Sequence, residues 1–147
     1  MTRQGFDRLK ADLERLKREE RPRITRAIAE ARSHGDLAEN AEYHAAREEQ
    51  SFLEGRVQAI EARLRSAVIV EAPAAGSRVG LGSVVTLDDG GETVIYTIVG
   101  ASESDPGAGR ISSSSPVGRA LLGRDLADQI VVRTPAGDRR YRILDIA

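Results

Sequence analysis

Between Ala46 and Ala67 the residues Ala46, Gln50, Leu53, Val57, Ile60, Leu64 and Ala67 recur in alternating steps of four and three. All but Gln50 are apolar. Such a heptad seam commits the segment to a long helix that must bury one stripe against another helix. The candidate partner precedes it: Phe6, Leu9, Leu13 and Leu16 follow the same rule, and Ile24, Ile28 and Ala31 resume it. Pro22 separates the two runs. Proline removes a helical hydrogen bond and crowds the carbonyl four residues back, so a break or kink is expected near Arg21. Two arms of about 30 residues, rising ~1.5 Å per residue, would make a rod roughly 45 Å long. Residues 1–71 therefore read as an antiparallel coiled-coil hairpin with its tip near 33–43.

The tip carries the chemistry. Gly35-Asp36-Leu37-Ala38-Glu39-Asn40-Ala41-Glu42-Tyr43 lies between the two helical patterns, with no apolar cluster to bury it. Asp36 and Glu39, three residues apart on one face, make half of a site for a hard cation such as Mg²⁺. A second explanation stands beside this one. Asp at the N-cap with Glu three residues later resembles a capping box for the second helix. The two roles can coexist, with Asp36 only partly committed to capping. Glu42 adds charge beyond what a cap needs. Tyr43 follows one turn after Glu39, and Arg47 one turn after Tyr43, where it can orient a carboxylate or phosphate or form a simple ion pair.

Charge is asymmetric along the hairpin although the whole chain carries only −1. Residues 1–32 hold ten Lys/Arg against six Asp/Glu, whereas residues 33–54 hold six acids against Arg47. Such a dipolar rod marks an interaction surface or a solvated, ion-paired helix face. Arg15, Lys17, Arg18, Arg21, Arg23 and Arg26 crowd the first arm, with Glu14, Glu19, Glu20 and Glu30 as candidate partners. The chain has no cysteine, which excludes disulfides and thiolate metal sites. No apolar run is long enough to span a membrane and no signal peptide is recognisable, so a cytoplasmic protein is expected.

Residues 72–82 are small and Gly-rich and read as a linker. From 83 to 147 the period changes to two. Val84 to Leu87, an Asp-Asp-Gly-Gly turn at 88–91, and Thr93 to Val99 read as a β-hairpin. Ser104 to Gly109 reads as a loop, and Ile111 starts a further strand. Pro116 to Gly123 reads as a short helix. Ile130 to Arg133 and Arg140 to Ile146 form a second strand pair around residues 135–138. The fold class is thus a helical hairpin followed by a small α+β domain.

The run from His34 to Gln50, His-Gly-Asp-Leu-Ala-Glu-Asn-Ala-Glu-Tyr-His-Ala-Ala-Arg-Glu-Glu-Gln, resembles the signature of the GreA family of bacterial transcript cleavage factors. Arg21-Pro22, residues 27–32, Glu54-Gly55-Arg56, residues 115–123 and residues 134–137 resemble the same family, so the likeness covers nearly the whole chain. It implies a coiled-coil hairpin that enters the secondary channel of RNA polymerase, and a C-terminal domain of FKBP-like fold. By that resemblance Asp36 and Glu39 would be the catalytic pair, holding a Mg²⁺ only together with polymerase carboxylates. The metal and a positioned water would then hydrolyse backtracked nascent RNA. Two carboxylates alone bind Mg²⁺ weakly, since the ion keeps several waters and wants octahedral geometry, so the polymerase must complete the site.

The resemblance also implies tip support from Asn40, Tyr43 and Arg47, and contact of Arg15, Lys17, Arg18 and Arg21 with the phosphates of extruded RNA. It assigns docking on the polymerase rim to the C-terminal domain, here placed on Pro116, Gly118, Arg119, Leu121, Leu122 and Gly123. The chain is expected to act as a monomer and to have no activity of its own. An FKBP-like fold invites a prolyl isomerase reading, which residues 72–147 oppose by offering only Tyr96 and Tyr141 as aromatics. A non-catalytic relative that blocks the channel would share the body but alter the tip; here both tip acids match the cleaving pattern, and the tip resembles GreA more than GreB, implying short RNA fragments. One departure is Ala127, where the family pattern leads one to expect glycine; it concerns turn geometry and not chemistry.

Overall fold

The computed structural model describes residues 1–35 and 40–147. They form two compact units, residues 6–67 and residues 68–147 together with 1–5.

In the helical unit, α1 (Arg3–Arg15), a π-helical segment (Leu16–Glu20) and α2 (Arg21–Arg32) follow one another without a loop, and α3 (Ala41–Ser66) forms the opposite arm. The break expected near Arg21 takes the form of the π segment. Pro22 has no N–H to offer the carbonyl four residues back. The turn before it widens by one residue, and the Arg21 N–H donates to the Leu16 carbonyl, five residues back. The arm continues through the proline.

The seam is the one the heptads define. Leu16, Ile24 and Ile28 are buried against Ala46, Leu53, Val57 and Ile60, with Leu9, Leu13 and Leu64 packed at the margins. Gln50 is half-buried and accepts a hydrogen bond from Arg47 at 3.2 Å. A fully buried aliphatic side chain contributes about 1.5–3 kcal/mol. An exposed ion pair contributes about 0.2–1 kcal/mol. Apolar burial therefore holds the arms together, and the ion pairs along them set the register.

The second unit is a five-stranded mixed sheet in the order β3-β2-β1-β5-β4. Its strands are β1 (Val84–Asp88), β2 (Thr93–Val99), β3 (Arg110–Ser112), β4 (Gln129–Thr134) and β5 (Gly137–Ile146). All pairings are antiparallel except β2–β3. Alternation places Val85, Leu87, Ile98, Ile111, Ile130, Val132, Tyr141, Ile143 and Ile146 in one core. Where β1 meets β5 the register slips, Thr86 facing Asp145 and Leu87 facing Ile143, so Leu144 is the extra residue of a bulge. Short 3₁₀ turns occupy residues 101–103 and 106–108.

The helix α4 (Pro116–Leu121) is anchored at both ends. The Ser115 hydroxyl accepts the Gly118 N–H at 3.1 Å and donates to the Ser112 carbonyl at 2.6 Å. A Cβ on Gly118 would lie 2.0 Å from that same carbonyl oxygen, so only glycine fits. Leu121 is fully buried in the sheet core.

Residues 72–82, expected as a linker, contain no helix or strand, yet Val79 is buried in the sheet core. Its N–H donates to the Arg124 carbonyl at 2.9 Å, and the Gly123 N–H donates to its carbonyl at 2.8 Å. The stretch is packed down at that point. Residues 1–5, read with the hairpin, pack with the second unit because the Glu103 carboxylate gathers them in. It accepts the Thr2 N–H at 3.1 Å, the Thr2 hydroxyl at 2.5 Å and the Gly100 N–H at 3.0 Å. Thr2 in turn caps α1, its hydroxyl accepting the Gly5 N–H at 3.0 Å.

Candidate functional site

The loop between α2 and α3 carries the two acids singled out from the sequence. Asp36 and Glu39 themselves lie outside the described residues. What surrounds them is defined. α3 starts at Ala41, and its cap is Asn40, whose side-chain oxygen accepts the Tyr43 N–H at 3.0 Å. Asn40 thus caps this helix; the capping role considered for Asp36 with Glu39 lies outside the described residues. Asn is as good a cap as Asp, and its position directly before Ala41 was the available signal. The spacing of Asp36 and Glu39 concealed it.

Asn40 does a second thing that no carboxylate could do. Its amide donates at 2.6 Å to the Ala31 carbonyl in the last turn of α2, which also accepts the His34 N–H at 3.2 Å. One half-buried side chain thereby joins the last turn of one arm to the first turn of the other and closes the base of the acidic loop. Tyr43 adds to the clasp. It packs against the seam, and the Arg32 guanidinium lies 5.8 Å from its ring centre, within cation–π range. The His44 ring meets it edge-on at 5.6 Å. On the exposed side His34 Nδ1 approaches the Glu42 carboxylate at 3.3 Å. Arg47 points elsewhere: its one described partner is Gln50, not a carboxylate.

The basic residues of the first arm find partners chiefly across the hairpin. Lys17 Nζ lies 2.7 Å from Glu61 Oε1. Arg21 donates to both oxygens of Glu54, at 2.9 and 3.0 Å. Arg23 bridges Glu20 and Glu49, and the two carboxylates hold its guanidinium pKa still higher than usual, Glu49 most strongly. Arg15 pairs with Asp12 at 3.0 Å. Of the acids expected to neutralise this arm, Glu14, Glu19, Glu20 and Glu30, Glu20 is used, pairing with Arg23 at 2.9 Å; the structure adds Glu49, Glu54 and Glu61 on the opposite arm, which one-dimensional spacing could not reveal. Arg18 and Arg26 have no ion pair among the described residues.

Of the residues placed on the docking face, Leu121 and Gly118 are buried and hold α4 to the sheet. They are packing residues. Pro116, Arg119, Leu122 and Gly123 are exposed, Leu122 at 40%. Tyr141 is 5% exposed in the core and Tyr96 packs against that core, so these two aromatics build packing and not a pocket.

The elements define a two-armed helical hairpin joined in sequence to a small mixed-sheet domain. Residues 1–69 match the family described as transcription elongation factor, N-terminal, and residues 73–147 match transcription elongation factor GreA/GreB, C-terminal. The chain belongs to the GreA/GreB family of transcription elongation factors. A relative named transcription elongation factor GreA from Beijerinckia indica is 51% identical over 150 residues, covering 100% of this chain and 96% of that one. Another of that name, from Thioalkalivibrio sulfidiphilus, is 50% identical over 146 residues, covering 97% and 92%. The crystal structure of GreA factor homolog 1 (Gfh1) of Thermus thermophilus is 34% identical, covers 100% of this chain and 97% of that one, and gives a TM-score of 0.45. Among the described residues no helix is long and apolar enough to cross a membrane.

Proposed function

We propose that this chain is a GreA-type cleavage factor, which inserts its hairpin tip into the secondary channel of RNA polymerase and stimulates Mg²⁺-dependent hydrolysis of backtracked nascent RNA. The observation that carries this reading is the clasp at Asn40. It ties the last turn of α2 to the first turn of α3, the two helix ends between which the acids lie in sequence. Asn40 caps α3 by accepting the Tyr43 N–H.

Asp36 and Glu39 are the residues that would hold the metal. Their donor chemistry fits: Mg²⁺ takes carboxylate oxygens and retains water in its remaining positions. When bound there, the ion lowers the pKa of a water and stabilises charge developing on the phosphate. The chain's own part is to bring two carboxylates to the site and hold them. Tyr43 and Arg32 stiffen the first turn behind the loop. Arg18 and Arg26, unpaired among the described residues, are the cations best placed to meet phosphates of extruded RNA, while Arg15, Lys17 and Arg21 are already committed to carboxylates. Pro116 and Arg119 of α4, with Leu122 directly after it, are the surface residues that would touch the polymerase rim. The protein acts as a monomer in the cytoplasm and lends groups to the polymerase without hydrolysing RNA alone.

The test is RNA length after adding the protein and Mg²⁺ to a stalled, backtracked bacterial elongation complex, beside Asp36→Asn and Glu39→Gln. Short fragments that disappear in both variants, with polymerase binding retained, are expected. Binding without fragments in the unaltered protein would make it a channel blocker, and absence of binding would remove the reading altogether.

A further inference from the structure

Halfway along the hairpin, both arms are weakened at the same level. In the first arm the weak point is the π-helical segment Leu16–Glu20, imposed by Pro22. Wide π turns exchange regular hydrogen bonds for poorer ones and mark places where a helix can change its direction. In the second arm it is Gly55, inside the 26-residue helix α3.

Gly55 has no packing reason to be glycine. A Cβ there would meet no atom within 4 Å, and the backbone is not in the left-handed region. Glycine inside a helix weakens it, because the unfolded chain gains more freedom and no side chain restricts the backbone. The cost is incurred without any close approach that would require it.

The Arg21–Glu54 pair fixes the relative height of the two weak points, since Glu54 adjoins Gly55 and Arg21 adjoins the π segment. This coincidence matters mechanically. A softened arm cannot bend while a regular helix runs unbroken beside it, so compliance is useful only where both arms have it together. The contacts bracketing the level are suited to movement as well. Lys17–Glu61 on one side and Arg23–Glu49 on the other are exposed ion pairs between long side chains, which can swivel while staying in contact.

We infer that the π segment and Gly55 form one hinge across both arms, allowing the tip half of the hairpin to tilt against the other half. The inference stands on the hairpin alone and is independent of what the tip does. Its consequence is directional. The seam keeps the arms paired on either side, so the tip half of the hairpin moves as a unit while its aim changes.

The chain has no cysteine, so two introduced thiols can be labelled without background. Spin labels at Ala11→Cys and Ala29→Cys, both exposed, span the hinge on the first arm, about 27 Å apart by helical rise. The pulsed-dipolar distance distribution in the full chain is expected to be broad. It should narrow when Gly55→Ala is added, and narrow further with Pro22→Ala. Both substitutions favour helix, so the fold is retained. Equal widths in all three backgrounds would overturn the hinge, and so would narrowing on Pro22→Ala with none on Gly55→Ala, which would confine the bend to one arm.

Discussion

Arg21 holds Glu54 through both arms of a fork, Nε to one carboxylate oxygen at 2.9 Å and Nη2 to the other at 3.0 Å. This fixes the register of the hairpin at mid-length, where the apolar seam alone would tolerate sliding. Both side chains are 41% exposed, which limits the energy. A double-mutant cycle with Arg21→Ala and Glu54→Ala should give a coupling of about 0.5–1 kcal/mol in chemical unfolding. Arg21→Lys should recover less than half, because an ammonium cannot reproduce the planar fork. Zero coupling would show that the pair contributes no register energy.

Asn40 has two functions that different substitutions separate. Asn40→Ala removes the cap of α3 and the bond to the Ala31 carbonyl, and should cost about 1–2 kcal/mol of stability. Asn40→Asp keeps the acceptor for the Tyr43 N–H and loses only the donor to α2. RNA cleavage assays should show both variants impaired more in fragment release than in polymerase binding, with Asn40→Asp the milder. Cleavage unaffected by Asn40→Ala would mean the clasp does not position the acids.

Ala127 has φ 68°, and it is the one non-glycine residue with positive φ among those described. Its turn is pinned to β5, the Ala127 N–H donating to the Ile143 carbonyl at 3.0 Å and the Ile143 N–H to the Asp128 carbonyl at 2.9 Å. The Cβ is strained in that conformation, so Ala127→Gly should stabilise the C-terminal unit by about 0.5–1 kcal/mol despite the added freedom of the unfolded chain. Thermal unfolding decides it, and a lower Tm would mean the turn carries no strain.

Acid should loosen the hairpin at a definable point. The Glu61 carboxyl is held below its usual range, first by the hydrogen bond with Lys17 and then by the charge of that ammonium. A folded value below the unfolded one, about 4.3, means that this contribution is present above that pH. It is lost as pH falls through the lower folded value. Lys17→Met should flatten the decline in stability below about pH 4; parallel curves for the two proteins would refute the coupling.

Elements governed by periodicity were legible in advance. The seam from Ala46 to Leu64, the β1–β2 hairpin and α4 between its proline and glycine all follow from local patterns, because spacing fixes the face a side chain occupies. Ala127 was flagged as out of place, and its backbone explains why. Features that depend on a partner distant in sequence were not legible. The capping of α3 by Asn40 was hidden by a better-looking acidic pair. The Glu103–Thr2 contact joins residues a hundred positions apart and leaves no local trace. The response to Pro22, a widened turn in place of a break, depends on Leu16 and Ile24 both being buried against the same opposing helix.

Between α4 and the Ser112 carbonyl there is no space for a single carbon atom at Gly118. Mutation is therefore partitioned along one short helix. Its inner side, Gly118 and Leu121, is closed to change, whereas Pro116, Arg119 and Leu122 stand on a mounting that their replacement does not disturb. A lineage could rewrite the outward-facing chemistry of this helix step by step, each intermediate remaining folded, and so follow a drifting partner surface without redesigning the domain beneath it.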